Sequence, residues 1–222
     1  MTRVILEDII KNSEIEIYIR RSYEYLLHLG FTEHGLRHAA LIADRSAMVM
    51  RELKYSQREQ ELAAIAGYMH DIGNMINRFN HGHASALLTY SILSKMGMPP
   101  EEIAIVAAAI GNHEEEYGHA VNPVAAALIL ADKSDVHRER VCNKKEVVTF
   151  DIHDRVNYAA EQSQLNINTD KQIITLRIKI DNKICPTIEY FEIFLHRMLM
   201  CRRAAAFLGC QFELYINEAN LM

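Results

Sequence analysis

The chain has 222 residues, half of them apolar, so it can bury a sizeable core, and this composition excludes an intrinsically disordered protein. A formal net charge of -5 excludes a broad electrostatic footprint for duplex nucleic acid. The start of the chain lacks a signal-peptide pattern, no apolar run has membrane length, and none of the four cysteines forms a CxxC pair. We therefore expect a cytoplasmic protein with reduced thiols and no membrane contact.

Apolar residues recur at helical spacing from the start of the chain to about residue 140. The predicted helices carry Gly, Pro or capping signals at their ends. The first predicted helix ends at Gly30, and the second spans about 33–53. The third begins at Ser56 with Glu59 and ends at Gly73, and the fourth spans about 83–96. The fifth runs from Pro99 and Pro100 to Gly111, and the sixth begins at Pro123. The apolar run 124–131 is too short for a membrane span and predicts a buried helix.

The last third of the chain has a different pattern. Residues 172–180 alternate and are rich in β-branched side chains, which predicts a strand, with 164–168 as its hairpin partner. A helix is predicted over 186–208 and a third strand over 211–216. We therefore predict a mainly α fold, with a helical domain over residues 1–145 and a small C-terminal α+β appendage over 146–222, built from short antiparallel strands and a helix.

Each predicted helix after the first carries one or two candidate metal ligands near an apolar segment. These candidates are His38, His70, Asp71, His83, His113 and Asp132. Asp132 follows six apolar residues, where a carboxylate needs a metal, an arginine or a helix cap to offset its desolvation. Helical bundles build metal sites from side chains on facing helices, so the spacing of the set predicts a metal centre.

The segments GYMHDIGN, NHGHAS, GNHEE and LADKSD, in the order H…HD…H…H…D, resemble the HD superfamily of metal-dependent phosphohydrolases over residues 30 to 140. With two histidines between the HD pair and the last aspartate, the pattern is similar to that of the dinuclear subgroup of this superfamily. The resemblance implies an HD-domain helical bundle in which one metal is bound by His38, His70, Asp71 and Asp132. It implies a second metal held by Asp71 as a bridge, with His83 and His113.

One position departs from the family pattern. Many relatives have HDIGK, with a lysine that contacts phosphate, whereas Asn74 stands at that place here. Asn is uncharged and contacts phosphate more weakly, so Arg78, Lys133 and Arg138 are the candidates to replace the lysine. We expect the catalytic residues to be Asp71, Lys133, Arg78 and Asp135, the last of which orients Lys133 or a ligand histidine, or else is a surface charge.

Two divalent ions in such a site would support hydrolysis of a phosphate ester by metal-activated hydroxide. Imidazole and carboxylate ligands favour Fe or Mn, with Ni, Co, Zn or Mg as alternatives. The expected substrate is a nucleotide or a similar small phosphorylated molecule, as a monoester or a diester. Two other functions stay open at this stage: a mixed-valent di-iron oxygenase of the same superfamily, and a non-catalytic HD module whose tail binds a partner.

Several further side chains have two interpretations each. Met198, Met200, Phe207 and Leu208 could form the face of a homodimer or pack on the helical body. Residues 151–159 (DIHDRVNYA) hold potential ligands but also resemble a polar linker, and residues 114–116 resemble a solvated acidic run in which Glu114 could support His113. His119, His137 and His153 are placed in or near loops, at a pocket mouth or at the surface.

Overall fold

The computed structural model of the protein describes residues 3–143 and 146–221. In this part of the chain the α-helices are α1 Leu6–Ile10, α2 Ser13–His28, α3 Leu36–Glu52, α4 Gln57–Met69, α5 His81–Lys95, α6 Pro100–Gly111, α7 Pro123–Lys133, α8 Ile152–Ala159 and α9 Thr187–Phe207. The strands are β1 Ala160–Asn168, β2 Ile173–Ile180, β3 Gln211–Ile216 and β4 Ala219–Asn220. The predicted mainly α fold with a small C-terminal sheet is confirmed.

The helix boundaries follow the local signals of the sequence. Ser56 and Glu59 form the capping box that opens α4. Gly30 has a φ of 81°, a left-handed conformation that glycine adopts without strain, and it lies just beyond α2. Pro100 and Pro123 occupy the first positions of α6 and α7, where the missing amide hydrogen is not needed.

Helix α7 lies at the centre of the helical body. The apolar residues 124–131 are all buried, and α7 packs against α3, α4, α6 and α9. This burial on every side explains why its sequence is apolar throughout rather than amphipathic. Because Asp132 follows this run at the end of the helix, its carboxylate is carried into the centre of the molecule.

Helices α3 and α4 pack at close range because Gly67 has no side chain. A Cβ at this position would collide with the backbone of Ile42 and Ala43 in α3. The close approach places His38, near the start of α3, beside His70, which follows the end of α4. The helix pair thereby supplies two of the predicted ligands to one point.

The C-terminal sheet has the strand order β1-β2-β3-β4 and is mixed rather than wholly antiparallel. β1 pairs with β2, and β3 with β4, in antiparallel fashion, whereas β2 and β3 are parallel. The sequence predicted antiparallel strands throughout the sheet, and the parallel pair of β2 and β3 corrects that prediction. Its cause is α9, a crossover helix of 21 residues that returns the chain to the same end of the sheet.

The buried core is continuous from the helices to the sheet. The predicted domain boundary after residue 145 adjoins residues 144 and 145, which lie outside the described part of the chain, and that division stays a prediction. Of the proposed dimer-face residues, Met198 and Met200 are buried, whereas Phe207 is 46% exposed. Within residues 3–143 and 146–221, no helix is both long and apolar enough to cross a membrane.

Candidate metal centre

The first group of donor atoms comes from the start of α3, the end of α4 and the end of α7. His38 Nε2 lies 3.6 Å from Asp71 Oδ2 and 3.4 Å from Asp132 Oδ1. His70 Nε2 lies 3.3 Å and 3.6 Å from the same two oxygens, and 3.2 Å from His38 Nε2. The structure therefore brings together the four residues that the sequence assigned to the first metal.

The second group uses the other oxygen of the same aspartate. Asp71 Oδ1 lies 3.2 Å from His81 Nε2 and 3.8 Å from His113 Nε2, and the two Nε2 atoms are 3.1 Å apart. His113 follows the end of α6 and His81 is the first residue of α5. Because Asp71 contributes one oxygen to each group, it is placed to bridge two ions.

The assignment of His83 to the second metal is corrected by the geometry. Helix α5 begins at His81 and not near residue 83, and residues two apart on a helix point about 200° apart. With His81 directed at Asp71, His83 faces away: it is exposed, and its ring stacks on Tyr117. Asn80, which precedes the helix with a φ of 58°, fixes this start.

All four clustered histidines are held through their Nδ1 atoms. His70 Nδ1 lies 2.8 Å from the carbonyl oxygen of Gly67, and His113 Nδ1 lies 2.6 Å from that of Ile110. His81 Nδ1 is 3.0 Å from the Arg78 carbonyl oxygen and 3.1 Å from a carboxylate oxygen of Glu114. His38 Nδ1 is 2.7 Å from Asp135 Oδ2. Since carbonyl and carboxylate oxygens only accept hydrogen bonds, Nδ1 carries the proton and each Nε2 presents its lone pair to the cluster.

These donor atoms fit divalent metal ions. Ligand atoms about 2.1 Å from a common ion lie roughly 3.0 to 3.4 Å apart in octahedral or tetrahedral arrangements, close to the separations observed here. Two facing Nε2 lone pairs repel each other unless a metal ion or a proton lies between them. Burial lowers the pKa of His70, but Asp71 and Asp132 outweigh burial and raise it to about 10, so without a metal ion a proton supplies the positive charge that the cluster attracts.

Asp135 supports His38 from behind. Its carboxylate, 2% exposed, accepts hydrogen bonds from His38 and from Arg37, whose Nη2 is 2.9 Å away. Arg140 lies 3.5 Å from the same carboxylate and donates to the Asp135 carbonyl oxygen. Burial opposes ionisation, but Arg140 and His38 hold the pKa of Asp135 well below its usual range. Asp135 therefore orients the imidazole of His38, in line with one of the roles expected for it, and among the described residues its ion pairs are with Arg37, His38 and Arg140 rather than with Lys133.

Lys133 is buried in an ionic network. Its Nζ lies 2.7 Å from Asp132 Oδ2 and 3.0 Å from Glu115 Oε1. Glu115 in turn contacts Arg197 Nε of α9 at 2.9 Å. The acidic run 114–116 is thus not simply solvated, because Glu115 and Lys133 join the Asp132 carboxylate of the cluster to the C-terminal helix and Glu114 contacts His81.

Asn74 connects the bridging aspartate to Arg78. Asn74 Nδ2 donates to Asp71 Oδ1 at 3.0 Å, and Arg78 Nη1 donates to Asn74 Oδ1 at 3.2 Å. The same Nη1 lies 3.5 Å from His81 Nε2. The residue that stands in place of the family lysine therefore positions an arginine guanidinium at the edge of the cluster.

A cavity of about 300 Å³ lies next to the cluster. His34 and Arg78 line it, and the ring of His34 is 5.4 Å from that of His38. Arg140 donates to His34 Nε2 at 3.0 Å, and burial with Arg140 holds the pKa of His34 well below its usual range. The remaining wall comes from residues 29–32, Arg140, residues 151–157 and α9, so the DIHDRVNYA segment is helix α8 with a cavity face rather than a linker.

The comparisons with known proteins identify a family for this chain. The family model described as HD domain matches residues 34–159, which is more than half of the chain. The chain belongs to the HD domain family. The matched HD region contains every residue of the cluster and α8, and it ends where β1 begins.

Two individual proteins are similar to this HD protein. The uncharacterized protein MJ1020 of Methanocaldococcus jannaschii is 25% identical over 197 residues, which cover 77% of this chain and 74% of that protein. A crystal structure of a predicted HD superfamily hydrolase from an uncultured Thermotogales bacterium has a TM-score of 0.45 and 20% identity. The match covers 56% of this chain and 67% of the chain in that crystal structure.

Other candidate residues lie outside the HD cluster. Arg138 stacks over Tyr158 and pairs with Glu161, and it is not among the described residues that line this cavity. His137 bonds the Glu161 carbonyl oxygen at 3.0 Å, while His153 lies on the cavity rim.

Three side chains in or near this site, His81, His34 and Glu115, were not identified from the sequence. Asn80, a residue type common before helices, was a usable signal that His81 opens α5. His34 lies two residues before α3 begins, so helical spacing from His38 could not identify it. No local signal identified Glu115, whose partner Arg197 is remote in sequence.

Proposed function

We propose that this HD protein is a metal-dependent phosphohydrolase that cleaves a phosphate ester of a nucleotide or a similar small molecule. One observation carries the proposal: two donor groups share Asp71 beside a cavity into which an arginine is positioned. The side chains of Asp71 and Asp132 are 13% and 12% exposed, so these two carboxylates are less enclosed than the imidazoles of His38 and His70, which are 1% exposed.

The donor set is suited to two divalent transition-metal ions. His38, His70, Asp71 and Asp132 would hold one ion; Asp71, His81 and His113 would hold the other. Mixed imidazole and carboxylate ligands favour Fe or Mn over a site made of oxygen alone, with Ni, Co or Zn as alternatives. Bound ions would polarise a phosphoryl group and lower the pKa of water.

Arg78 is the residue best placed to hold the phosphate. Among the described residues no carboxylate lies within 4.0 Å of its guanidinium, whereas Arg140 lies near Asp135 and Arg197 pairs with Glu115. Its positive charge is thus uncompensated at the edge of the centre, and Asn74 fixes its direction. A guanidinium offers several parallel N–H donors that match phosphate oxygens, so it can replace a lysine ammonium in this role.

The test is phosphate release by the full chain after chelation and reloading with Fe(II) or Mn(II), using monoesters and diesters. We expect hydrolysis only after reloading. Arg78→Gln should lower kcat/KM by roughly 10- to 100-fold, the value of one or two charge-assisted hydrogen bonds. Arg138→Gln, outside the cavity, is the matched control and should retain activity.

Failure to release phosphate from any ester with any metal would overturn the proposal. Oxygen consumption by the iron form with an inactive manganese form would indicate oxygenase chemistry instead. An unchanged kcat/KM in Arg78→Gln would show that Arg78 does not bind the phosphate, but it would not contradict the proposed metal centre.

A further inference from the structure

The lining of the cavity beside the metal centre combines cationic groups with hydrogen-bond acceptors. Arg78 supplies a guanidinium at the edge of the cluster, whereas Arg140 and Arg197 are already held in ion pairs. Helix α8 and its cap supply the carboxylates of Asp151 and Asp154 and the amide of Asn157. A ligand that fills this space therefore meets a cation at Arg78 and hydrogen-bond acceptors on α8.

The acceptor side has atoms available for hydroxyl groups. Asp151 Oδ1 accepts from the Asp154 amide at 2.8 Å, and Asp154 Oδ2 accepts from Asn143 Nδ2 at 2.8 Å. Asn157 Nδ2 donates to the His153 carbonyl oxygen at 2.9 Å. Each carboxylate has about four lone-pair sites, so acceptor capacity remains on this side beyond the contacts that fix α8.

The size and aromatic content of the cavity restrict the ligand further. Its volume of about 300 Å³ is at the lower end of the range for small-molecule sites, roughly 300 to 1,000 Å³. Phe31 and Phe194 also line it, but Arg78 stacks on one ring and Arg197 on the other, at 5.2 and 4.6 Å. An arginine thus already covers one face of each ring, which disfavours stacking of a nucleobase and favours a small polar group.

We propose that this cavity selects a sugar or polyol monophosphate, with the phosphate at Arg78 and the hydroxyl groups on the α8 side. The inference rests on the proposed phosphohydrolase function and names the substrate class of that site. The carboxylates of Asp151 and Asp154 repel a second phosphate, so a bisphosphate or a nucleoside triphosphate is a poor ligand.

The test compares ribose 5-phosphate with n-pentyl phosphate, which has the same carbon count and primary alcohol leaving group but lacks the ring hydroxyls. We expect kcat/KM for ribose 5-phosphate to exceed that for n-pentyl phosphate at least tenfold. Asp154→Asn and Asn157→Ala should each reduce this ratio about tenfold, through a loss of kcat/KM for ribose 5-phosphate. Asp170→Asn, in the exposed turn after β1, is the matched control.

A ratio near one in the wild-type protein, or an equal loss on both esters in both α8 variants, would overturn the inference while the hydrolase proposal stands. If neither ester is hydrolysed, the inference is tested by calorimetric binding of ribose 5-phosphate and of inorganic phosphate to the metal-loaded protein. Ribose 5-phosphate should then bind at least tenfold more tightly than inorganic phosphate, and Asp154→Asn should abolish that difference. Equal affinity for the two ligands would reject the inference independently of catalysis.

Discussion

His81 and His83 lie two positions apart on α5, but His81 faces the cluster and His83 faces away from it. The two histidines therefore form a matched pair for mutation. His81 Nε2 lies 3.2 Å from Asp71 Oδ1, whereas His83 is exposed and stacks on Tyr117. We expect His81→Ala to lose the ion bound by Asp71, His81 and His113 and to retain the other ion. His83→Ala should keep both. Metal analysis after gel filtration measures the difference, and equal metal content in the two variants would contradict the assignment.

Asp135 acts on the centre through His38, and its substitution should weaken metal binding without removing a ligand. In Asp135→Asn the His38 Nδ1 proton loses its carboxylate partner, now 2.7 Å away. Residues that orient metal ligands contribute about 10- to 100-fold to metal affinity, and we expect a loss of that size in a competitive chelator titration.

Arg37→Gln provides the control for this prediction. It removes a partner of Asp135, 2.9 Å distant, but leaves the contact between Asp135 and His38. A loss of affinity as large as that of Asp135→Asn would show that the carboxylate acts through general stability rather than through the imidazole.

The close approach of α5 to the turn at 72–75 depends on Gly73. A Cβ there would collide with the His81 carbonyl oxygen and the Ser85 amide nitrogen, both backbone atoms that cannot rotate aside. We expect Gly73→Ala to reduce the free energy of unfolding by about 1 to 3 kcal/mol, and to weaken metal binding because His81 moves with α5. Urea unfolding and metal titration measure the two effects.

Gly111→Ala is the comparison for Gly73→Ala. A Cβ at Gly111, the last residue of α6, meets only the Ala86 Cβ at an ordinary 3.6 Å. Since alanine favours a helix over glycine by up to about 1 kcal/mol, this variant should be at least as stable as the wild type. Destabilisation of both variants to the same extent would show that the collision at Gly73 is not the cause.

Helices α4 and α6 are joined by an ion pair whose contribution should depend on pH. Arg58 Nε donates to Glu102 Oε1 at 2.7 Å, and this hydrogen bond lowers the pKa of Glu102 below 4.5. A lowered pKa in the folded state means that the stabilisation is present above 4.5 and is lost as the pH falls through the folded-state pKa. We expect Glu102→Gln to be less stable than the wild type by about 1 kcal/mol at neutral pH. The gap should close in acid, and a gap that does not change with pH would contradict the ion-pair explanation.

Elements with a strong local pattern could be predicted from the sequence, and those fixed by packing could not. The strand 211–216 and the helix that begins at Pro123 follow directly from alternation, apolar content and proline position. Helix α8 is short and polar, so its eight residues had no apolar stripe long enough to identify it. The start of α5 depends on a left-handed Asn80 and on contact with Gly73, and a two-residue error there exchanged His81 for His83.

At the scale of the molecule, the donor atoms come from α3, α4, α5, the ends of α6 and α7, and a turn, so the unfolded chain cannot hold them together. A ligand that binds only the folded state stabilises it by RT ln(1 + [L]/Kd), about 2.7 kcal/mol at a hundredfold excess over Kd. For a chain of this size the expected rise in Tm is roughly 5 to 10 °C, measured by scanning calorimetry of chelated and reloaded protein. In His70→Ala the rise should be largely lost, because His70 Nε2 contacts both carboxylates of the first donor group. A Tm that does not respond to metal, in protein shown to bind it, would mean that the ions bind as tightly to the unfolded chain. The centre would then not be the converged site described by these six side chains.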